Sequence, residues 1–311
     1  MNPLRSCFSL LLASTLFLSG CSVTQVKDRF YLQTIELSHF RYPKVQLHAF
    51  ASDEADYAGN GSTLHAALED AEIPAGRELF LGHLELLCLQ DTAFVGQLTE
   101  LLQSYRLSSG CKVIYTTHSL ESVNTEKLLE NLKQEEQNGR LPETDLLTIL
   151  KELSNSSGTV LLPFYLTNGF SLVLIQPNGV KGTLSNEAIQ GLCWLRGENY
   201  PERVSISGEE QASDFLIENA ATKLTATVDA GVPVVTVSIT IQGKGDAVAL
   251  RKQLETACQA AEEETVKKYR ADVIGLEACL RQQCYQLYAE QDWEGILHTV
   301  TFVHEITILT E

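Results

Sequence analysis

The sequence predicts an α+β fold, with several small mixed sheets and packed helices in a multi-lobed chain that ends in a β-β-α-α-β domain. Three observations carry this. Between residues 30 and 116, short runs of branched and aromatic residues alternate with amphipathic stretches, the pattern of a mixed α/β lobe. The apolar run Leu172-Val173-Leu174-Ile175 is followed by Asn178-Gly179 and the returning Val180-Lys181-Gly182, a strong short-range hairpin signal. In the last third, Val235, Val237, Ile239 and Ile241 alternate with Thr236, Ser238 and Thr240, which suits a sheet with one solvated face.

Taken in order, residues 30–37 and 45–50 read as strands, and Asp53 to Gly61 as a polar loop. Ser62 or Thr63 caps a helix from Leu64 to Ala71, whose apolar face is Leu64, Ala67 and Leu68, and Pro74-Ala75-Gly76 breaks it. Leu79 to Leu89 is apolar enough for one buried strand, Thr92 to Leu107 for an amphipathic helix, and Lys112 to Thr116 for another strand. Helices follow over about 122–137 and 143–153, the second carrying Leu146, Leu147, Leu150 and Leu153 on one side. After the 172–182 hairpin, Ser185 caps a helix through Leu195 that Arg196-Gly197 closes. A hairpin of 223–228 and 234–241 around Asp229-Ala230-Gly231 then leads into a long helix, Ala247 to Tyr269. A further helical stretch, about Val273 to Glu290, precedes a last strand with Val300, Phe302, His304, Ile306 and Ile308 on one side. The expected divisions are 1–20, 21–142 as an N-terminal α/β lobe, 143–199 as a small helix-hairpin-helix lobe, and 200–311 as the C-terminal α+β domain.

The first twenty residues follow a different logic. A lone Arg5 precedes the apolar run Phe8 to Leu18, and small residues lead out of it, which is the order of a secretory signal. The run is too short to stay in a bilayer as a permanent spanning helix. Leu18-Ser19-Gly20-Cys21 resembles the lipobox of bacterial lipoproteins. That resemblance implies cleavage before Cys21 and lipid attachment on its thiol. An ordinary cleavage site followed by an ordinary cysteine is the plainer alternative. Two acyl chains hold firmly where one exchanges, because each buried methylene contributes ~0.8 kcal/mol.

Composition narrows the function classes. Acidic residues number 40 against 23 basic ones, giving a formal charge of −17, and loss of 1–20 removes only Arg5. Such a chain is repelled by phosphate backbones, which argues against a nucleic-acid partner. Anionic headgroups repel it as well, so attachment to a membrane falls to the anchor. Besides Cys7 and Cys21, the cysteines are Cys88, Cys111, Cys193, Cys258, Cys279 and Cys284. Their even number permits disulfides. Contexts such as Leu86-Leu87-Cys88-Leu89 favour small buried core thiols instead.

Four segments behind the lipobox carry a family resemblance. Leu79-Phe80-Leu81-Gly82-His83-Leu84-Glu85, then Gly179 through Ala188, then Gly191-Leu192-Cys193-Trp194-Leu195-Arg196-Gly197, then Tyr269 through Leu276 with Trp293, stand in the order seen in Ger(x)C spore-germination lipoproteins. The chain resembles a divergent member, since Cys21-Ser22-Val23-Thr24 lacks the Trp-Asp pair usual after the lipid cysteine. The resemblance implies a lipid-anchored, non-enzymatic subunit of a nutrient germinant receptor. Its partners would be two integral-membrane subunits, of A and B type, at the spore inner membrane. The alternatives are a solute-binding lipoprotein of a transporter or an exported enzyme.

Chemistry read from the residues themselves is sparse. Gly243-Lys244-Gly245-Asp246-Ala247-Val248 imitates a dinucleotide fingerprint, but its third position is Val248 and its strand reads as part of an antiparallel hairpin, not a βαβ unit. A glycine-rich turn capped by Asp246 is the plainer reading. His83 reads as a core or strand-end histidine. His298 and His304 read as sharing one face of a strand ~20 Å apart, too far to share a metal. His118-Ser119 has no carboxylate at suggestive spacing, and Asp272 reads as a cap or local hydrogen-bond acceptor. Asn155-Ser156-Ser157 is only formally a glycosylation sequon. No catalytic residue, metal site or cofactor is expected.

Overall fold

The computed structural model describes residues 29–49, 56–167, 169–206, 213–290 and 292–310. The expected signal segment and Cys21 lie outside them, as do positions 50–55. Within the described residues the α+β class is borne out, with thirteen strands in two sheets.

The larger sheet is mixed and runs β3-β2-β1-β5-β6-β7-β8-β9, with β4 pairing off this path to β1. Its middle strands are β1 (Arg29–Ser38), β5 (Leu86–Leu89) and β6 (Lys112–Tyr115), mutually parallel. β2 (Lys44–Ala49) and β3 (Tyr57–Asn60) extend one side antiparallel. β7 (Val160–Leu166), β8 (Gly169–Gln176) and β9 (Gly179–Thr183) extend the other. Strands 21–142 and 143–199 were expected to supply therefore stand in one sheet.

β5 and β6 are buried along their whole length, as strands covered on both faces must be. Alternate residues show why. Leu87, Leu89, Val113 and Tyr115 join one hydrophobic core, which includes helices α1 (Leu64–Ala75), α2 (Leu98–Tyr105) and α4 (Leu146–Ser154). Leu86, Cys88 and Ile114 join the other, with α3 (Thr125–Gln137) and α5 (Asn186–Arg196). This second core does not stop at α5. It continues into α6 (Ala247–Glu262) and the inner face of the smaller sheet.

The smaller sheet has the order β10-β11-β12-β13. β10 is Arg203–Ile206, β11 Ser213–Asp229, β12 Val232–Lys244 and β13 Thr301–Thr310. Val235, Val237, Ile239 and Ile241 are all fully buried beneath α6, as their alternation predicts. The β11–β12 hairpin is longer than its apolar centre because the solvated face of each strand is filled by polar residues. Its turn residues Ala230 and Gly231 have φ of 49° and 83°, the two left-handed positions of a primed hairpin turn.

Several elements differ from expectation for identifiable reasons. Leu79–Leu89 is not one strand. β4 (Glu78–Phe80) pairs with Arg29–Tyr31, a turn closed by Leu84 N–H on the Leu81 carbonyl at 3.0 Å intervenes, and β5 then pairs with Thr34–Leu37. Periodicity cannot see a turn made of apolar residues. The polar Tyr57–Asn60 is a strand, not loop. A Cβ at Gly59 would lie 2.1 Å from the Ala67 carbonyl oxygen, so its missing side chain lets α1 rest on it. β7 has no counterpart in the sequence reading.

The β8–β9 turn is Pro177-Asn178, one residue earlier than expected, and Gly179 at φ 149° opens the returning strand. The stretch after Val273 is broken into α7 (Leu276–Gln283), α8 (Tyr285–Glu290) and α9 (Trp293–Thr299). His298 therefore sits on α9, where Asp292 caps the helix through Gly295 N–H, and shares no strand with His304. β13 runs parallel to β12, so β12, α6 and β13 do form a βαβ crossover besides the antiparallel hairpin.

Candidate functional site: the seam between the sheets

The loop Asn155–Gly158, between α4 and β7, reaches across to the segment that opens α7. Gly275, in the N-cap position of α7 with φ 93°, has no side chain to offer the first helical N–H groups. Asp272 supplies the acceptor instead. Oδ1 accepts from the N–H of Gly275 (2.9 Å) and Leu276 (2.8 Å), and Oδ2 from Glu277 (2.8 Å), with the residue fully buried. Burial pushes its carboxyl up, and the three N–H groups pull back. Asn155 Nδ2 donates to the Asp272 carbonyl at 3.3 Å, so the formal sequon asparagine is engaged in this seam.

Glu277 answers from the other side. It accepts from Ser156 N–H (2.7 Å), Ser156 Oγ (2.9 Å), Tyr288 OH (2.7 Å) and Arg281 (2.8 Å). Burial pushes Glu277 up, but these donors outweigh it and leave the carboxyl below its ordinary value. Loss of the Asp272 cap strands three buried N–H groups. Asp272→Ala is expected to lower stability by about 2 kcal/mol. Urea unfolding measures it, and an unchanged midpoint contradicts the capping role.

Two further buried pairs flank the seam. Glu152 accepts from Arg196 Nη1 (2.8 Å) and Leu161 N–H (2.7 Å), yet burial still raises its carboxyl to about 7 against the pull of Arg196. His304 Nε2 lies 2.7 Å from Glu262 Oε1, joining β13 to α6. The bond to Glu262 holds His304 above its ordinary value, while burial opposes it. A histidine raised on folding contributes stability that is full below its unfolded value of about 6.5 and lost as pH rises through the folded value. Urea midpoints are expected to fall as pH rises from about 6 to about 9, and His304→Gln to remove this part of the dependence. An identical pH profile in that variant contradicts the assignment.

Beside the seam lies a cavity of about 570 Å³. Ser156, Ser157 and Gln176 line it from the larger sheet, and Tyr269, Trp293 and Leu297 from the C-terminal segment.

The remaining candidates fall elsewhere. His83 is exposed, not in the core, and its ring lies 5.3 Å from that of Phe80 and 5.9 Å from that of Tyr31. His118 is exposed in a loop. Asp246 Oδ1 accepts from Val248 and Ala249 N–H at 3.0 Å, so a carboxylate already occupies the helix start where a phosphate would sit. The six described cysteines are free and buried, and burial pushes Cys111, Cys193 and Cys258 up to about 12. Such thiols are inert at neutral pH. Among the described residues, no group of three or more His, Cys, Asp or Glu is placed to hold a metal ion, and no helix is long and apolar enough to cross a membrane. The carboxylates of the seam are taken up by backbone and side-chain donors. What this arrangement does is fasten the loop after α4 to α7.

Residues 172–308 match the family model described as spore germination B3/GerAC like, C-terminal. This part of the chain is similar to that family's C-terminal region. The match begins inside β8 and takes in β9, α5 and the smaller sheet as far as residue 308 of β13, so the GerAC-like region includes the hairpin edge of the larger sheet. The resemblance to Ger(x)C proteins read from the sequence is borne out. The structure is also similar to the crystal structure of the GerBC protein, at 13% identity and a TM-score of 0.56, over 89% of this chain and 96% of that one. At that identity the likeness shows a shared fold. No curated protein matches.

The geometry gives the residues of the GerAC-like resemblance physical tasks. A Cβ at Gly182 would lie 2.2 Å from the Tyr269 ring, so the bare glycine seats the tyrosine. Asp272 caps α7, and Trp293 is buried in the continuous core. Sequence reasoning found Asp272 as a cap but missed the Glu152–Arg196, Ser156–Glu277 and Glu262–His304 contacts. Their partners stand 42 to 121 residues apart, a distance at which no spacing rule signals a pair.

Proposed function

We propose that this chain is the lipid-anchored, non-enzymatic subunit of a nutrient germinant receptor, attached through Cys21 to the outer face of the spore's inner membrane. There it works with two integral-membrane subunits of A and B type. The observation that carries this reading is the GerAC-like match over 172–308 in a chain whose start reads as a lipobox. The fold shared with the GerBC protein supports it, as does a seam whose polar groups serve cohesion. Residue 200 is the proposed start of the C-terminal domain, with α5 as its bridge to the larger sheet.

Deleting the gene in its spore-forming host is expected to impair germination with at least one nutrient. Unchanged germination across a broad panel of amino acids and sugars, with no paralogue present, contradicts the proposal.

A further inference from the structure

Arg29 opens β1, and eight residues separate it from Cys21. At no more than ~3.6 Å per residue, that length keeps Arg29 within about 29 Å of whatever holds Cys21. β1 has ten residues at ~3.3 Å each, so the hairpin loop beyond it, which carries Tyr42, stands about 33 Å farther off.

The register decides what else lies at the Arg29 end of the larger sheet. β4 pairs in parallel with β1, Arg29 against Glu78 and Tyr31 against Phe80. The last turn of α1 joins β4 through Gly76 and Arg77, so it lies at the same end. Ile73 and Pro74 stand in that turn, both exposed, Ile73 to 77%. The turn is firmly held. Gly76, at φ 62°, donates its N–H to the carbonyls of Glu72 (3.0 Å) and Ile73 (3.2 Å), and Glu72 Oε1 accepts from Leu79 N–H (3.1 Å). The rings of Tyr31, Phe80 and His83 pack against one another nearby, with centroids 5.3 to 5.9 Å apart. Tyr31 and Phe80 are partly buried and His83 is exposed, while the Arg29 guanidinium lies 4.7 Å from the Phe80 centroid. Aromatic side chains with one apolar and one wet end suit the membrane–water interface. Glu78 is exposed here as well, so the surface is not an electrostatic one.

We infer that this end of the larger sheet rests on the bilayer, with Ile73 and Pro74 in the headgroup–acyl boundary and Tyr31, Phe80 and His83 at headgroup level. The inference rests on the proposed anchor at Cys21 and names the face that a short tether turns to the membrane. One isoleucine is small beside two acyl chains, so the contact orients the protein and the lipid holds it. Because the contact is apolar, it forms on zwitterionic phosphatidylcholine. Tyr42, 78% exposed at the other end of β1, stands clear of the bilayer.

The test couples the chain from Cys21 onward, which keeps every described residue, to a maleimide-headgroup phospholipid in phosphatidylcholine vesicles. The six described cysteines are buried, so coupling falls on Cys21. Chemical coupling makes the outcome independent of lipidation in the cell, which mass spectrometry of the mature amino end decides separately. Trp194 and Trp293 are buried, so an indole placed at position 73 or 42 reports its own surroundings above a constant background. With bromine on the acyl chains, Ile73→Trp emission is expected to fall about twofold, since an interfacial contact reaches ~5–10 Å into the headgroup–acyl boundary, and Tyr42→Trp emission to stay unchanged. Hydrogen exchange of the chain with its native Ile73 controls for the new indole's own liking for the interface. Amides of 73–83 are expected to exchange severalfold more slowly on the vesicle than in the free chain, and Ile73→Asp to lose that protection. Equal quenching at both positions, quenching at position 42 alone or at neither, or exchange of 73–83 unaffected by the vesicle overturns the inference.

Discussion

Replacing Cys21 with alanine is expected to leave the chain unprocessed or soluble, and to shift it out of the lipid-modified membrane fraction. The thiol is where the acyl chains would be attached. Losing two chains removes tens of methylenes from the bilayer, each worth ~0.8 kcal/mol. No other cysteine can take over. Cys7 lies inside the proposed leader, and the six described thiols are buried in the folded protein, none behind small residues at the exit of an export signal. Electrostatics offers no rescue, because the proposed mature chain, with a formal charge near −18 once Arg5 is lost, is repelled by anionic headgroups. The partner subunits could retain it by contact, so the experiment belongs in a host that lacks them. Fractionation combined with mass spectrometry of the mature amino end should find the wild type lipidated at Cys21 and membrane-bound. A wild-type amino terminus elsewhere, or an unmodified Cys21, contradicts anchoring.

How far the fold was legible depended on whether local chemistry or distant packing decided each element. Ser185 and Gly197 bracket α5 as cap residues should, and the alternation over 234–241 marks the buried face of β12 without ambiguity. Those signals are local. β3 is polar and glycine-bearing because α1 lies against Gly59, a reason that lives in another element. The second helical stretch looked continuous over 273–290, but it forms two short helices, α7 and α8, and a third, α9, follows them over the same core. The seam was the least legible. Asp272 could be read as a cap from its place between two helical stretches. That Ser156 and Glu277 meet across 121 residues follows only from how the loop after α4 crosses to α7.

Gly191→Ala is expected to destabilise the protein, although alanine is the better helix former by about 1 kcal/mol. α5 and α6 cross at this residue. A Cβ built on Gly191 would lie 1.9 Å from the Ala257 carbonyl oxygen and 2.8 Å from the Cys258 nitrogen. Both are backbone atoms of a regular helix, so neither can rotate aside as a side chain would. The helices must separate, and the buried residues on either side, Leu192, Leu195, Leu254 and Cys258, lose contact together. Overpacking of this kind costs about 1–3 kcal/mol or more, which exceeds the gain in propensity. Gly191→Leu is expected to abolish cooperative folding. The consequence reaches beyond two helices, because α5 carries the core of the larger sheet and α6 that of the smaller one. Gly96 provides the control. It is exposed, and a Cβ there meets only Pro177 side-chain carbons at 3.6 Å, so Gly96→Ala should change stability by no more than about 0.5 kcal/mol. Urea unfolding of the three variants decides it. A Gly191→Ala protein as stable as wild type would mean that the two helices do not touch backbone to backbone, and that some other contact joins the sheets.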